Sequence, residues 1–228
     1  MSMFMKRLRS RTRKLLGIGK TPKSHLSLKA RFTYVYRGRI WGSNESASGP
    51  GSDLDSGSVR QALIALSQIV VDRDIRSIAD LPCGDFNWMP LFLEKHPDVT
   101  YVGYDIVSPL IIANQKAHPG RTFRRLDITR KVPSRADLIF SKDMVNHLLE
   151  RDVWKALANM VRSGATYLMI TSNADPTPNE ELPENVGGSS RLLNLQEAPY
   201  NFPVPLYDDG YLAMWRPADL AFVVDRAS

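Results

Sequence analysis

Between Ser77 and Ser172 the chain alternates short apolar runs with helical stretches, and that alternation leaves few folds open. "RSIADL", "TYVGYDIV", "TFRRLDI", "ADLIFS" and "ATYLMITS" have the length and apolar density of buried strands. Between them, "DFNWMPLFLEKH", "PLIIANQKAH" and "DMVNHLLERDVWKALANMVRSG" read as helices. The first tolerates Pro90 only within its opening turn, and Gly164 stops the last. Such an order builds a mostly parallel sheet with helices on both faces, so the expected class is α/β.

The flanks extend this unit. "VRQALIALSQIVVDRD" sets Leu63, Leu66, Ile69 and Val70 at helical spacing, with Ser56 or Ser58 as N-cap. Upstream, "RFTYVYRGRIWG" carries aromatics that need burial, and "SNESASGPGSDLDSGS" is a loop. Downstream, residues 173–210 form a long Pro-, Asn- and Gly-rich insertion, of the kind that is functional or disordered in a compact domain. "YLAMWRP" reads as a last strand and "LAFVV" as a further short one. The organisation expected is an N-terminal arm over 1–30 and a single domain over 31–228.

Charge sets the arm apart. Residues 1–44 hold twelve Lys and Arg and no Asp or Glu, whereas the remainder holds 18 basic against 24 acidic residues. The formal net charge of +6 therefore hides a basic arm on an acidic body. Lys6, Arg7, Arg9, Arg11 and Arg13 interrupt the apolar centre of about 7–15 residues that a secretory signal needs. Phe4, Leu8 and Leu15 share a helical face, which gives a basic amphipathic helix resting on anionic lipid. An organelle transit peptide and a solvated tail are the other readings. Cys83 is the single cysteine, so no internal disulfide is possible and a reducing compartment is expected. No run of roughly 18 apolar residues is present. The expected location is cytoplasmic, at the inner face of a membrane if the arm binds lipid, or an organelle if the arm is a transit peptide.

The stretch "SIADLPCGDFNWM" runs from a strand into a sharp turn and a helix, where parallel sheets hold nucleotide-like cofactors. Asp80, Asp105 and Asp127 stand at or beside three successive strand ends. Asp105 lies 21 residues after Gly84, a distance suited to a ribose diol in either NAD or S-adenosylmethionine. Charge separates the two. A pyrophosphate seeks the bare N–H groups of a helix N-terminus, and Asp80 with Asp85 would repel it. An ammonium and a sulfonium suit these acids. Asp127 fits an adenine amino group or a helix cap.

With these features the chain resembles the class I S-adenosylmethionine-dependent methyltransferases over roughly residues 57–172, half its length. "IADLPCGDF", "YVGYDI", "RRLDI" and "ADLIFSKDMVNHL" correspond to successive family motifs. With "WGSNESASGPGS" and "LNLQEAPYNFPVP", it is similar to a bacterial subgroup with a "DLPCGDFNWM"-type first motif, over roughly 31–217. The resemblance implies a Rossmann-like seven-stranded sheet whose last strand, "YLAMWRP", is antiparallel. It places Asp80 and Gly84 against the methionine moiety, Asp105 on the ribose, and Asp127 with Ile128 at the adenine. Pro82, Asp85, Ile106, Ser141, Trp41, Ser48, Gly49 and Gly51 complete the expected cofactor set. Pro82 and Phe86 replace the usual first and third glycines.

Methyl transfer to a hydroxyl benefits from positioning and from a base. Asp143 and His147, at i and i+4 of an expected helix, are candidates for an orienting acid and a base, or else for an N-cap and a satisfied helix histidine. Metal-assisted relatives place a carboxylate where this sequence has Ser141 and Lys142, so no metal is expected. Arg191, Asn194, Tyr200 and Phe202 of the insertion are the candidate acceptor contacts. The expected acceptor is a hydroxyl on a sugar, glycan or other small polar molecule. The acidic body makes nucleic acid a weaker partner, reachable through the arm. A non-catalytic cofactor-binding protein is the third reading.

Overall fold

The computed structural model describes residues 26–174, 177–183 and 188–227. Most of the basic arm, residues 1–25, lies outside them. Strands β1 (Ser77–Asp80), β2 (Thr100–Asp105), β3 (Thr122–Arg125), β4 (Leu138–Ser141), β5 (Tyr167–Thr171), β6 (Tyr207–Asp208) and β7 (Leu212–Trp215) form one sheet. It has seven strands in the order β3-β2-β1-β4-β5-β7-β6. β1 to β5 pair in parallel, and β7 runs antiparallel to both β5 and β6.

Six helices accompany the described sheet: α1 (Leu28–Arg37), α2 (Gly57–Asp72), α3 (Met89–Lys95), α4 (Ser108–Ala117), α5 (Glu150–Arg162) and α6 (Phe222–Arg226). α2 begins where its N-cap requires, Ser56 accepting from the Val59 N–H at 3.1 Å. The period of two along a strand divides the core. Ala79, Ile139, Leu168 and Ile170 join one apolar cluster with Trp154, Ala156, Leu157 and Val223. Their neighbours Ile78, Leu138, Phe140 and Met169 join the other, with Leu66, Ile69 and Phe92. Both faces of the central strands are thus covered, which explains why β4 reads as an unbroken apolar run and is wholly buried.

Three expectations change. The helix expected from Asp143 begins only at Glu150; before it stands a single 3-10 turn, Val145–His147, entered from Asp143 at φ 53°. "LAFVV" contributes to helix α6, and β6, at the end of the insertion, is the remaining strand instead. A short apolar run does not distinguish strand from helix, and here only Val223 of α6 is buried. Finally, α1 starts at Leu28, inside the stretch assigned to the arm.

The fold also fixes where a ligand can enter. β1 is flanked by β2 on one side and β4 on the other, so successive connections leave it in opposite directions. The crevice at such a reversal, beyond the carboxyl ends of the strands, is where open α/β sheets take ligands.

Candidate functional site

A cavity of about 420 Å³ opens at that reversal, beyond the ends of β1, β2 and β4. Asp80, Pro82, Gly84, Asp85, Asp105, Ile106 and Ile128 line it, with Trp41, Ser48, Gly49 and Gly51 from the preceding loop. Asp143 and His147 also reach it.

The turn after β1 shows how the missing glycines are replaced. Gly84 and Phe86 both adopt positive φ, 55° and 60°. Phe86 therefore holds a left-handed conformation usual for glycine, where a bulky residue is strained. Its ring is 3% exposed and sits 4.8 to 5.2 Å, between centroids, from His118, Phe123 and Tyr101. That aromatic packing offsets the backbone strain. The turn is tied to its neighbours by the Asn114 amide donating to the Gly84 carbonyl at 2.8 Å. Asp105 Oδ2 also accepts from the Gly84 N–H at 3.3 Å.

Two buried carboxylates form the floor. Asp80 accepts a 2.6 Å hydrogen bond from the Tyr101 hydroxyl at Oδ2, yet burial pushes it up to about 7. The nearby Asp105 charge adds to the rise, and Lys142 opposes it. Asp105 Oδ1 accepts from the Val107 N–H at 2.8 Å, and burial again dominates, raising it to about 6. Two adjacent acids held out of water are short of positive charge, so the donor set fits a cation and disfavours a pyrophosphate.

Asp85 has a different part. The helix starts at Met89, so Asp85 does not cap it. Its carboxylate accepts from the Ser46 and Ser48 hydroxyls at 3.0–3.1 Å and from the Ala47 N–H at 2.5 Å. The Asp85 N–H in turn donates to Ser48 Oγ at 3.0 Å. Asn87 donates to Glu45 and to the Ser52 carbonyl, and Lys142 to the Gly51 carbonyl at 2.8 Å. The loop over 43–52 is thus latched across the cavity. A Cβ on Gly84 would come within 2.3 Å of Ser48 Oγ, so glycine is needed where the cover meets the turn.

His147 meets Trp41 at 5.1 Å between ring centroids. Its Nδ1 lies 2.8 Å from the Ser189 carbonyl, which can only accept, so Nδ1 carries the proton and Nε2 keeps its lone pair. Burial lowers its pKa below 6.5. Asp143 does not hold the ring. Its Oδ2 accepts from Lys142 Nζ and the Tyr211 hydroxyl, both at 2.7 Å. The i, i+4 geometry is lost because no helix spans 143–147. The Gly188 carbonyl accepts from Trp41 Nε1 at 3.0 Å. Two consecutive carbonyls of the insertion therefore fix the two rings.

The remaining expected residues lie off the cavity lining. Asp127 accepts from the Thr129 N–H and hydroxyl, an Asx-type cap. Ser141 is fully buried, with no partner for its hydroxyl. Arg191 donates to the Leu148 carbonyl at 2.8 Å, and Asn194 receives a backbone bridge from Asn179. Tyr200 packs on Trp154, and Phe202 on Trp215 and Phe222. Arg191, Tyr200 and Phe202 thus help hold the insertion on the core, and Asn194 does so through its backbone. Sequence reasoning missed Tyr101, the two carbonyls, and α1, whose Leu28, Phe32 and Tyr36 line the cavity. For α1 the signal was present: the three stand four residues apart, one stripe of a helix.

No family model and no curated protein matches this sequence. Among solved structures, TnmH aligns over 70% of this chain and 57% of its own, with TM-score 0.50 at 13% identity. Magnesium protoporphyrin IX methyltransferase (ChlM) from Synechocystis, with bound SAH, aligns over 64% of this chain and 69% of its own, with TM-score 0.47 at 14% identity. The methyltransferase domain of bacterial CtHen1-C aligns over 50% of this chain and 66% of its own, at TM-score 0.45 and 14% identity. The chain spans somewhat over half the length of TnmH. The shared fold is a Rossmann-like α/β sheet of seven strands, mostly parallel, whose penultimate strand runs antiparallel to its neighbours.

Proposed function

We propose that this chain is an S-adenosylmethionine-dependent methyltransferase that acts on a hydroxyl of a small acceptor. The observation that carries the cofactor is the buried carboxylate pair, Asp80 beside Asp105, both raised by burial at the cavity floor. The α-ammonium of the cofactor belongs at Asp80 and its ribose at Asp105, and Gly84 leaves room for the cover loop beside them. When bound, S-adenosylmethionine supplies an electrophilic methyl group whose S–C electron pair returns to sulfur as the new C–O bond forms.

The chain's own contribution is positioning and proton transfer. Ser189 leaves His147 Nε2 as the basic nitrogen, and burial keeps it neutral near pH 7. Nε2 accepts the acceptor's hydroxyl proton as the oxygen is methylated, and the resulting imidazolium loses that proton to solvent. Asp143 holds Lys142 beneath the cover loop through the 2.7 Å pair. The loop's latch on Asp85 excludes water from the reacting centre.

Titration calorimetry with S-adenosylmethionine, S-adenosylhomocysteine and NAD tests the cofactor. Micromolar binding of the first two is expected, and binding of NAD alone would reject the reading. Binding with no turnover on any acceptor would favour a non-catalytic role. The basic arm is proposed to hold the enzyme at an anionic membrane surface in the cytoplasm.

A further inference from the structure

The outer wall of the cavity is apolar and its surface is unspent. α1 brings Leu28, Phe32 and Tyr36 to it, all only half-buried. Trp41 continues the wall, 6.4 Å from Phe32 and 5.1 Å from His147 between ring centroids. Three rings therefore stand in series, ending at the candidate base. The last two are braced from behind by the Gly188 and Ser189 carbonyls.

Hydrogen-bond accounting narrows what such a wall can hold. Ser48 is committed to Asp85, Asn87 to Glu45 and Ser52, and Lys142 to Asp143 and Gly51. Around the α1 side, the described side-chain polar groups left free are few: the Tyr36 and Ser190 hydroxyls, the oxygen and nitrogen of the Asn146 amide, and His147 Nε2. A sugar presents a hydroxyl on nearly every carbon, and each one buried without a partner opposes binding. An apolar ring asks for partners only at its reacting hydroxyl and gains by stacking.

We propose that the acceptor is a flat, apolar ring system bearing the hydroxyl, of the class of a fused-ring phenol, seated against Phe32, Tyr36 and Trp41. This rests on the methyltransferase reading for the reaction, but the wall itself is testable without it. His147 Nε2 then lies at the hydroxyl end of the wall and takes the phenolic proton, while the phenolic oxygen gains the methyl carbon and the electron pair of the broken S–C bond stays on sulfur.

The test is equilibrium dialysis of the full chain with 2-naphthol and with methyl α-glucopyranoside, with and without saturating S-adenosylhomocysteine. Saturable binding of 2-naphthol is expected, at least tenfold tighter than the glucoside. Phe32→Ala and Tyr36→Ala should each weaken it about tenfold, leaving S-adenosylhomocysteine affinity unchanged, and Ile64→Ala on an exposed face of α2 should change neither. If Phe32→Ala fails to fold, Phe32→Leu keeps the apolar contact but removes the ring, and Tyr36→Ala carries the same reading. Absence of saturable 2-naphthol binding, tighter glucoside binding, or naphthol binding unmoved by both wall substitutions overturns the inference. Naphthol binding at the wall without any S-adenosylhomocysteine binding would support the wall and reject the cofactor reading.

Discussion

Asp80 is where stability and binding pull apart. Its carboxyl is raised from 3.8 to about 7 mainly by burial, so the folded chain holds a proton there that the unfolded chain has lost. The group's contribution to stability is therefore fully present below pH 3.8 and is lost as pH rises through about 7. At about 1.4 kcal/mol per unit, the ceiling on that loss is on the order of 4 kcal/mol. Asp80→Asn should raise the Tm of the ligand-free protein by roughly 5 °C at pH 8. The gain should vanish near pH 4, as thermal melts across that range would show. The same substitution should abolish measurable S-adenosylmethionine binding. In the unsubstituted chain, cation binding should release a proton, so calorimetric enthalpies should vary with the ionisation heat of the buffer near pH 7. His147 gives the opposite kind of test. Burial holds its pKa below 6.5, so kcat at saturating cofactor and acceptor should rise below that value and stay flat above pH 7. His147→Gln should lower kcat about 100-fold or more while leaving S-adenosylhomocysteine affinity intact. An unchanged kcat would remove the base role.

At the scale of elements, the cover loop has its densest latch at Asp85. Asp85 accepts from Ser46, Ala47 and Ser48 at once, while Asn87, Lys142 and Ser58 of α2 hold the loop's later residues. Asp85→Ala should raise KM for S-adenosylmethionine about tenfold with little change in Tm, and amide exchange at Ala47 should accelerate. Equal exchange in both proteins would show that the latch lies elsewhere. Elements also show why some parts were readable in the sequence. The central parallel strands β1, β4 and β5 announce themselves because both faces are buried, and Asp80 and Asp105 are found because strand ends locate them. Phe86 could be seen to replace a glycine, but not that three aromatic neighbours hold its positive φ. The stretch "DMVNHLL" has helical spacing, yet the bonds from Asp143 to Lys142 and Tyr211 hold its entry in a non-helical turn. β6 is two residues long and carries no period. Tyr200 and Phe202 looked available because their loop is polar; the packing against Trp154 and Trp215 is long-range information.

The whole molecule joins an acidic body to a basic arm, and α1 connects the two. Eight of the twelve basic residues in 1–44 lie within 1–25, and Leu28, at the start of α1, lines the cavity. The arm's attachment point is therefore at the cavity's apolar wall. An arm bound to an anionic surface would bring that wall to the region where apolar ring compounds partition, so membrane contact and acceptor choice reinforce each other. The arm can be altered without touching the site. Replacing Lys6, Arg7, Arg9, Arg11 and Arg13 with Gln in the full chain removes five charges. At about 1 kcal/mol per basic residue near an anionic surface, binding to phosphatidylglycerol vesicles read by sedimentation should weaken by about several thousandfold. S-adenosylhomocysteine affinity should not move. Vesicle binding that survives these substitutions would reject the arm as a membrane contact. If binding to structured RNA fell instead, with a salt slope shallower by about five, the arm would be a phosphate-reading element.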